Sequence, residues 1–410
     1  MEITYRYYQE EALKRMKECL NEPGNDLVIL PTGSGKSIVI AGIADYADTD
    51  VLILQPSKEI LEQNRAKLAM YVDPDDIAAY SASVGEKDIK KYTYATIGSI
   101  YTKPELFKHF KVVLIDECHL VNPKDMGSMF ASFLKAIGNP KVIGFTATAY
   151  RNMPAYHKIN SDQMEVAVTL KMICRLKEKF WKRIIYNVDH GTLVQEGFLS
   201  PLKYIHVPLA ELHEIPLNKA QTDFDMEGYE TVVKTKQERF MDGVAWALKN
   251  HKSVLVFCPT VFNAESLAAQ VDGAVAISAK TDKKERERII REFKDETIKI
   301  VFNVGVLTTG FDHPGLDCII LKRPTRSLSL YYQMLGRGVR IAPGKTHCTI
   351  IDFSGTVKSL GRVETIKLTY GGSGHGYELW DVLTETGRWH NTPLYKFIID
   401  IKKKQGVLIP

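Results

Sequence analysis

Short apolar runs that end in glycine, proline or acid recur along the first third of the chain, each followed by a stretch whose apolar positions return every three or four residues. That alternation predicts buried parallel strands joined by helices. Leu27 to Leu30, Val51 to Leu54, Ile77 to Tyr80, Val112 to Ile115 and Lys141 to Phe145 read as strands. Glu10 to Leu20, Ile38 to Ala44 and Glu59 to Val72 read as the helices around them. The period breaks at Arg151, and from there to about Tyr229 the pattern is irregular. A second array begins at Ser253, with strands at Val254 to Phe257, Ala274 to Ile277, Ile298 to Phe302, Cys318 to Leu321 and Thr349 to Phe353. Its helices are Asn263 to Val271 and Lys284 to Lys294. Beyond Gly355 the strand pattern ends, and Gly371 to Gly376 reads as a flexible loop or linker. The expected architecture is α/β: a first parallel-sheet domain over residues 1–155, a connecting segment 156–230, a second sheet domain 231–356 and an extension 357–410.

Composition narrows this picture only modestly. At 410 residues the chain exceeds one ordinary core, and 45% hydrophobic with 25% charged residues describes a globular protein. A net charge of +5 permits a polyanionic partner without requiring one. The six cysteines are scattered without a C-x-x-C pair, which argues against a zinc module or a disulfide framework and for a reducing compartment. No apolar signal core opens the chain and no run approaches a membrane span, so a cytoplasmic protein is expected.

Chemistry changes the picture more. Leu30-Pro31-Thr32-Gly33-Ser34-Gly35-Lys36-Ser37 lies between a strand and a helix, where glycines let backbone N–H groups curl around an anion and the helix N-terminus favours phosphate. Lys36 would reach the terminal phosphates of a nucleotide and Ser37 would ligate Mg²⁺, although Leu30 stands where the usual phosphate loop begins with glycine. A glycine turn with a solvated lysine is the plainer alternative. Asp116 and Glu117 close the strand Val112 to Ile115 at its carboxyl end, where open α/β sheets bind ligands. Asp116 is expected to hold Mg²⁺ and Glu117 to orient and deprotonate the attacking water, against the bland reading of two capping acids.

Thr146-Ala147-Thr148 offers two hydroxyls at the end of the next strand. Arg6 and Gln9, beside tyrosines, suit an adenine edge, although a tyrosine-rich start also suits a cap on a core. Lys171, Arg175, Lys177, Lys179, Lys182 and Arg183 interleave with Phe180 and Trp181, a pattern for phosphate contact with base stacking or a wedge, or else a solvated face with a core tryptophan. In the second array, Gln333 to Arg340 ends a helix and places Arg337 and Arg340 three apart, on one side. Arginines supplied from a second domain stabilise charge on a transferring phosphoryl group by roughly 10³ to 10⁵ in rate.

Taken together, these stretches resemble superfamily 2 helicases from Tyr5 to about Asp352. Arg6 and Gln9 look like the adenine contact, Gly33 to Ser37 like motif I, with Thr32 just before it also expected at the nucleotide, Gln55 to Gln63 like motif Ia and Thr96 to Ser99 like motif Ib. Asp116-Glu117-Cys118-His119 reads as a DECH box, Thr146 to Thr148 as motif III, Phe257 to Thr260 as motif IV, Thr308 to Asp312 as motif V and Gln333 to Arg340 as motif VI. The wording of motifs V and VI looks closest to the RadD branch of repair helicases and their phage-encoded relatives, without the cysteine-rich region of cellular RadD and with Ala149 where relatives carry proline. The resemblance implies two RecA-like domains, ATP and Mg²⁺ as cofactors, and Gly310 and Asp312 near the nucleotide with Gln333, Arg337 and Arg340 in catalysis. It implies nucleic-acid contacts at Pro56, Ser57, Gly98, Ser99, Thr260, Thr308 and Thr309. The expected function is an ATP-dependent helicase or translocase on single-stranded, forked or branched DNA in repair, recombination or replication. A nucleotide-switched clamp without strand separation and an RNA helicase are the alternatives.

Overall fold

The structure, a computed structural model, describes residues 4–121, 129–175, 180–219, 222–308, 310–374, 377–384, 387–388, 395–400 and 405–409. Thr309, Lys177, Lys179 and residues 375–376 of the glycine tract lie outside the described residues. The chain falls into two compact units, one of residues 1–151, 171–189 and 368–381, the other of residues 152–170, 190–367 and 382–410.

In the first unit α1 (Tyr7–Cys19) leads to β1 (Asn25–Ile29), α2 (Lys36–Tyr46), β2 (Val51–Leu54) and α3 (Lys58–Leu68). Next come β3 (Ile77–Ser81), β4 (Glu86–Lys87), β5 (Tyr92–Ala95), α4 (Ile97–Ile100), β6 (Val112–Ile115), α5 (Phe130–Ala136) and β7 (Lys141–Thr146). The chain then runs out as β8 (Tyr150–Lys158) and β9 (Gln163–Met172), and returns as β10 (Arg183–Asn187). Eight strands form one sheet in the order β10-β1-β7-β6-β2-β5-β3-β4, parallel except for the short β4. The central strands β2, β5 and β6 are buried at every position, and β2 and β6 accordingly read as unbroken apolar runs rather than alternating ones.

The second unit contains α6 (His190–Gln195), β11 (Leu202–His206), α7 (Met226–Val233), α8 (Gln237–Asn250), β12 (Val254–Phe257), α9 (Val261–Ala268), β13 (Val275–Ile277) and α10 (Lys283–Lys294). Then follow β14 (Ile300–Asn303), β15 (Cys318–Leu321), α11 (Leu328–Leu335), β16 (Cys348–Asp352) and α12 (Thr356–Leu360). Its sheet is wholly parallel, in the order β11-β16-β15-β12-β14-β13. The α10 helix shows how local sequence makes these elements: Asp282 accepts bonds from the N–H groups of Lys284 and Glu285, and Ile289 and Phe293 turn inward from an otherwise charged helix.

Two expectations are corrected. The stretch read as irregular supplies four strands: β10 joins the first sheet beside β1, β11 joins the second beside β16, and β8 lies beside β9, which pairs with the late strand β20. The partners of β9, β10 and β11 lie far away in sequence, and polar residues interrupt the periods of all four. Secondary structure also continues past Gly355, through β17 (Lys367–Gly374), β18 (Tyr377–Thr384), β19 (Gly387–Arg388), β20 (Tyr395–Asp400) and β21 (Gln405–Ile409). The strand β17 runs through most of the glycine tract read as a linker, because backbone pairing needs no side chains.

Candidate nucleotide-binding site

Three neighbouring strands bring the first unit's motifs to one edge of its sheet: β1 ends in the glycine loop, β7 in Thr146 and β6 in Asp116. Gly33 and Gly35 have φ of +84° and +85°, a left-handed backbone that side chains resist. Gly35 is the N-cap of α2 and no side chain caps that helix, so its first N–H groups face the loop hollow without an intrahelical acceptor. Tyr8 donates its hydroxyl to the Ser34 carbonyl at 2.8 Å and Gln9 Nε2 donates to the same oxygen at 2.9 Å. A Cβ on Gly35 would meet Gln9 Nε2 at 2.6 Å, so glycine is also required by close approach. Gln9 Oε1 accepts the Arg6 N–H at 3.0 Å, and Arg6 Nη1 donates to Tyr8 Oη at 3.0 Å. The Gln9 amide thus braces the loop at both ends, which sets Arg6 and Gln9, the residues expected to contact adenine, against the glycine loop. Thr32 and Ser34 are buried, and Ser34 Oγ donates to the Pro31 carbonyl at 2.7 Å.

The two acids occupy different surroundings. Asp116 is buried, with Asn64 Nδ2 donating to it at 3.0 Å and the Glu117 N–H at 2.9 Å. Burial, then the neighbouring Glu117 charge, pushes its carboxyl up to about 6. Glu117 is left-handed, with φ of +47°. Lys36 Nζ lies 3.2 Å from its Oε1, and His119 Nδ1 lies 3.3 Å from its Oε2 and 2.8 Å from Thr146 Oγ1. Burial holds the His119 imidazole below its ordinary range, and Thr148 N–H also donates to Thr146 Oγ1 at 3.0 Å. Glycine amides, an ammonium, the Ser37 hydroxyl and a carboxylate reluctant to carry its charge alone fit a triphosphate with a hard cation.

In the second unit, Gly310 has φ of +70° and Thr308 Oγ1 donates to the Gly305 carbonyl at 3.1 Å. Arg337 Nη1 and Arg340 Nη1 both donate to the Phe311 carbonyl, at 2.7 and 2.9 Å, and Arg340 pairs with Asp312 at 2.8 Å. The helical spacing expected of these arginines is corrected, because α11 ends at Leu335 and both lie in the turn beyond it; they converge through that turn. Gln333 is half-buried on the last turn of α11, where its carbonyl accepts Arg337 Nε at 3.3 Å.

The expected nucleic-acid residues divide. Ser57 and Thr260 hydroxyls cap α3 and α9, accepting the Ile60 N–H at 3.4 Å and the Asn263 N–H at 3.1 Å. Pro56 and Gly98 are exposed, and Ser99 Oγ accepts the Ala82 N–H at 3.0 Å. Trp181 is corrected outright: at 1% exposure it is a core residue and offers no stacking face. Phe180 meets it edge-on, with ring centroids 4.8 Å apart. Arg183 is corrected as well, since its Nε lies 2.9 Å from buried Asp26 and its Nη2 pairs with Glu22. Lys182 is exposed, its stem passing over Gly24. Asn64 and Arg151 were missed. Asn64 carried a signal, a polar residue on the inward face of α3, whereas Arg151 sits where the periodic pattern stops.

Residues 2–151 match the family described as "Type III restriction enzyme, res subunit" (ResIII), and residues 235–342 match "Helicase conserved C-terminal domain". A Saccharomyces cerevisiae protein named as the ATP-dependent helicase IRC3 is 25% identical over 85% of this chain and 51% of its own length. The Schizosaccharomyces pombe irc3, named as a mitochondrial ATP-dependent helicase, is 26% identical over 87% of this chain and 58% of itself. The DNA 3'-5' translocase XPB2 of Sulfurisphaera tokodaii is 25% identical over 82% of this chain and 79% of that one. The chain thus spans only a little over half the length of the two yeast relatives. Among solved structures, the Type ISP restriction-modification enzyme LlaBIII bound to DNA aligns with a TM-score of 0.64 at 17% identity, covering 86% of this chain and 28% of that one. An HsdR fragment from Vibrio vulnificus aligns at 0.65 and 19%, covering 92% and 70%. The fold is that of tandem RecA-like helicase domains.

Proposed function

We propose that this chain, a member of the superfamily 2 helicases by its ResIII and Helicase_C domains, is an ATP-driven DNA translocase or helicase that acts on single-stranded, forked or branched DNA. The observation that carries the reading is the meeting of Lys36 and Glu117 at 3.2 Å beside the left-handed glycine loop. In this proposal the glycine-loop amides and Lys36 hold the phosphates, Ser37 and Asp116 hold Mg²⁺, and Glu117 takes a proton from the attacking water. Mg²⁺, when bound, supplies charge neutralisation on the phosphate oxygens. Arg337 and Arg340 stabilise the charge that develops as the terminal phosphoryl group leaves, with Gln333, Gly310 and Asp312 framing them. Phosphate contacts through Pro56, Gly98, Ser99 and Thr308 make affinity steeply salt-dependent and insensitive to sequence. The RadD-like wording of motifs V and VI favours repair, recombination or replication substrates, with partner proteins of those processes. Among the described residues no helix is long and apolar enough to cross a membrane.

Forked DNA with a labelled strand tests this directly. Release of that strand with ATP, lost in Lys36→Ala, supports the reading; hydrolysis stimulated by RNA alone contradicts it. One observation favours a translocase that does not separate strands: of Phe180 and Trp181, the aromatic pair expected as a wedge, Trp181 is buried. DNA-stimulated hydrolysis without strand release would select that second reading.

A further inference from the structure

We infer that Arg151 is a positioning residue for the DECH loop, the side chain that keeps Glu117 in a backbone conformation it would not hold alone. The inference rests on the proposed role of Glu117 in hydrolysis. Glu117 has φ of +47° and ψ of +43°, a left-handed geometry that an ordinary side chain resists because its Cβ crowds the following carbonyl oxygen. Such strain persists only where surrounding groups over-determine it. On the upstream side, β6 pairing and the bond from Glu117 N–H to Asp116 provide that constraint. Downstream the chain makes one short 3₁₀ turn, Cys118–Leu120, too brief to stiffen itself.

Arg151 grips that turn from another segment. Its Nε donates to the His119 carbonyl at 3.1 Å, its Nη2 donates to the same carbonyl, and its Nη2 donates to the Val121 carbonyl at 2.6 Å. One planar guanidinium thus ties two carbonyls on either side of Leu120, which a lysine ammonium does less well for want of a rigid fork. Arg151 is itself held: Tyr150 before it is 2% exposed, and the Ala149 carbonyl accepts the Ile173 N–H at 2.9 Å. Fixing the His119 backbone also fixes its imidazole, which reaches Glu117 and Thr146. Any slip of the turn would therefore reach the Glu117 carboxylate from both its backbone and its side-chain neighbour.

The test compares Arg151→Ala, Arg151→Lys, Glu117→Gln and the double variant Glu117→Gln/Arg151→Ala with the parent. Hydrogen exchange without nucleotide is expected to quicken about tenfold or more at amides 117–121 in Arg151→Ala, and less in Arg151→Lys, with the rest of the first unit unchanged. Unchanged protection at those amides overturns the inference, whether or not the protein hydrolyses ATP. In hydrolysis, Arg151→Ala is expected to lower kcat about tenfold or more with KM for ATP within about twofold, and to add nothing to Glu117→Gln. Losses that multiply in the double variant overturn the inference. A parent without ATP hydrolysis would defeat the proposed function, and the exchange measurement alone would then decide the role of Arg151.

Discussion

Gly144 stands on β7 where any side chain would strike the indole of Trp181. A Cβ there would lie 2.4 Å from Trp181 Cη2 and 2.8 Å from Cys118 Sγ, so the glycine lets a tryptophan pack beneath the DECH loop. Gly144→Ala is expected to cost about 1–3 kcal/mol, measured by urea unfolding. His190 is buried, with neither ring nitrogen hydrogen-bonded among the described residues and its ring 6.0 Å from that of Tyr332. Burial drives its pKa down to about 4, whereas the unfolded residue titrates near 6.5. Between those values the unfolded chain binds the extra proton, so the contribution of neutral His190 is whole above about pH 6.5 and is lost as pH falls towards 4. Unfolding free energy measured at pH 7.5 and pH 5 should fall less in His190→Phe than in the parent. At this scale the sequence was legible where chemistry is contiguous: Lys36, Asp116 and Glu117 sit at the ends of apolar runs that announce them. Trp181 was legible only as a choice between wedge and core, because nothing local tells an indole which way to turn.

The strand β10 shows why one element was legible and another was not. β1 and β7 each contain a buried apolar run, Leu27 to Ile29 and Val142 to Phe145, whereas only Ile184 of β10 is buried, so its pattern carries no period. What holds β10 against β1 is electrostatic as well as backbone pairing. Asp26 is 1% exposed, with Lys141 Nζ of β7 at 2.6 Å and Arg183 Nε of β10 at 2.9 Å. One carboxylate thus joins three adjacent strands, and its removal leaves two cations facing each other. Asp26→Ala should destabilise the first unit by about 3 kcal/mol or more, read as a lowered urea midpoint, and the loss should be only partly relieved by salt because Asp26 and Lys141 are buried. The run of basic residues that suggested a nucleic-acid contact at Arg183 was in part the cationic side of this pair.

Across the whole molecule, the two βα arrays were readable from periodicity alone, since parallel strands covered on both faces must be apolar throughout. The late strands β17 to β21 were not, because they are glycine-rich or mixed segments without an apolar period, paired mostly with their sequence neighbours and, at β20, with the remote β9. The proposed function depends at this scale on one proposition, that ATP hydrolysis requires both Lys36 and Glu117 of the first unit and Arg337 of the second. The most direct measurement is steady-state ATP hydrolysis by the parent, Lys36→Ala and Arg337→Ala, each with and without single-stranded DNA. DNA should raise the parental rate, Lys36→Ala should be inactive, and Arg337→Ala should lose roughly 10³-fold or more while still binding ATP. Parental hydrolysis by Arg337→Ala, or a parental rate indifferent to DNA, would contradict it.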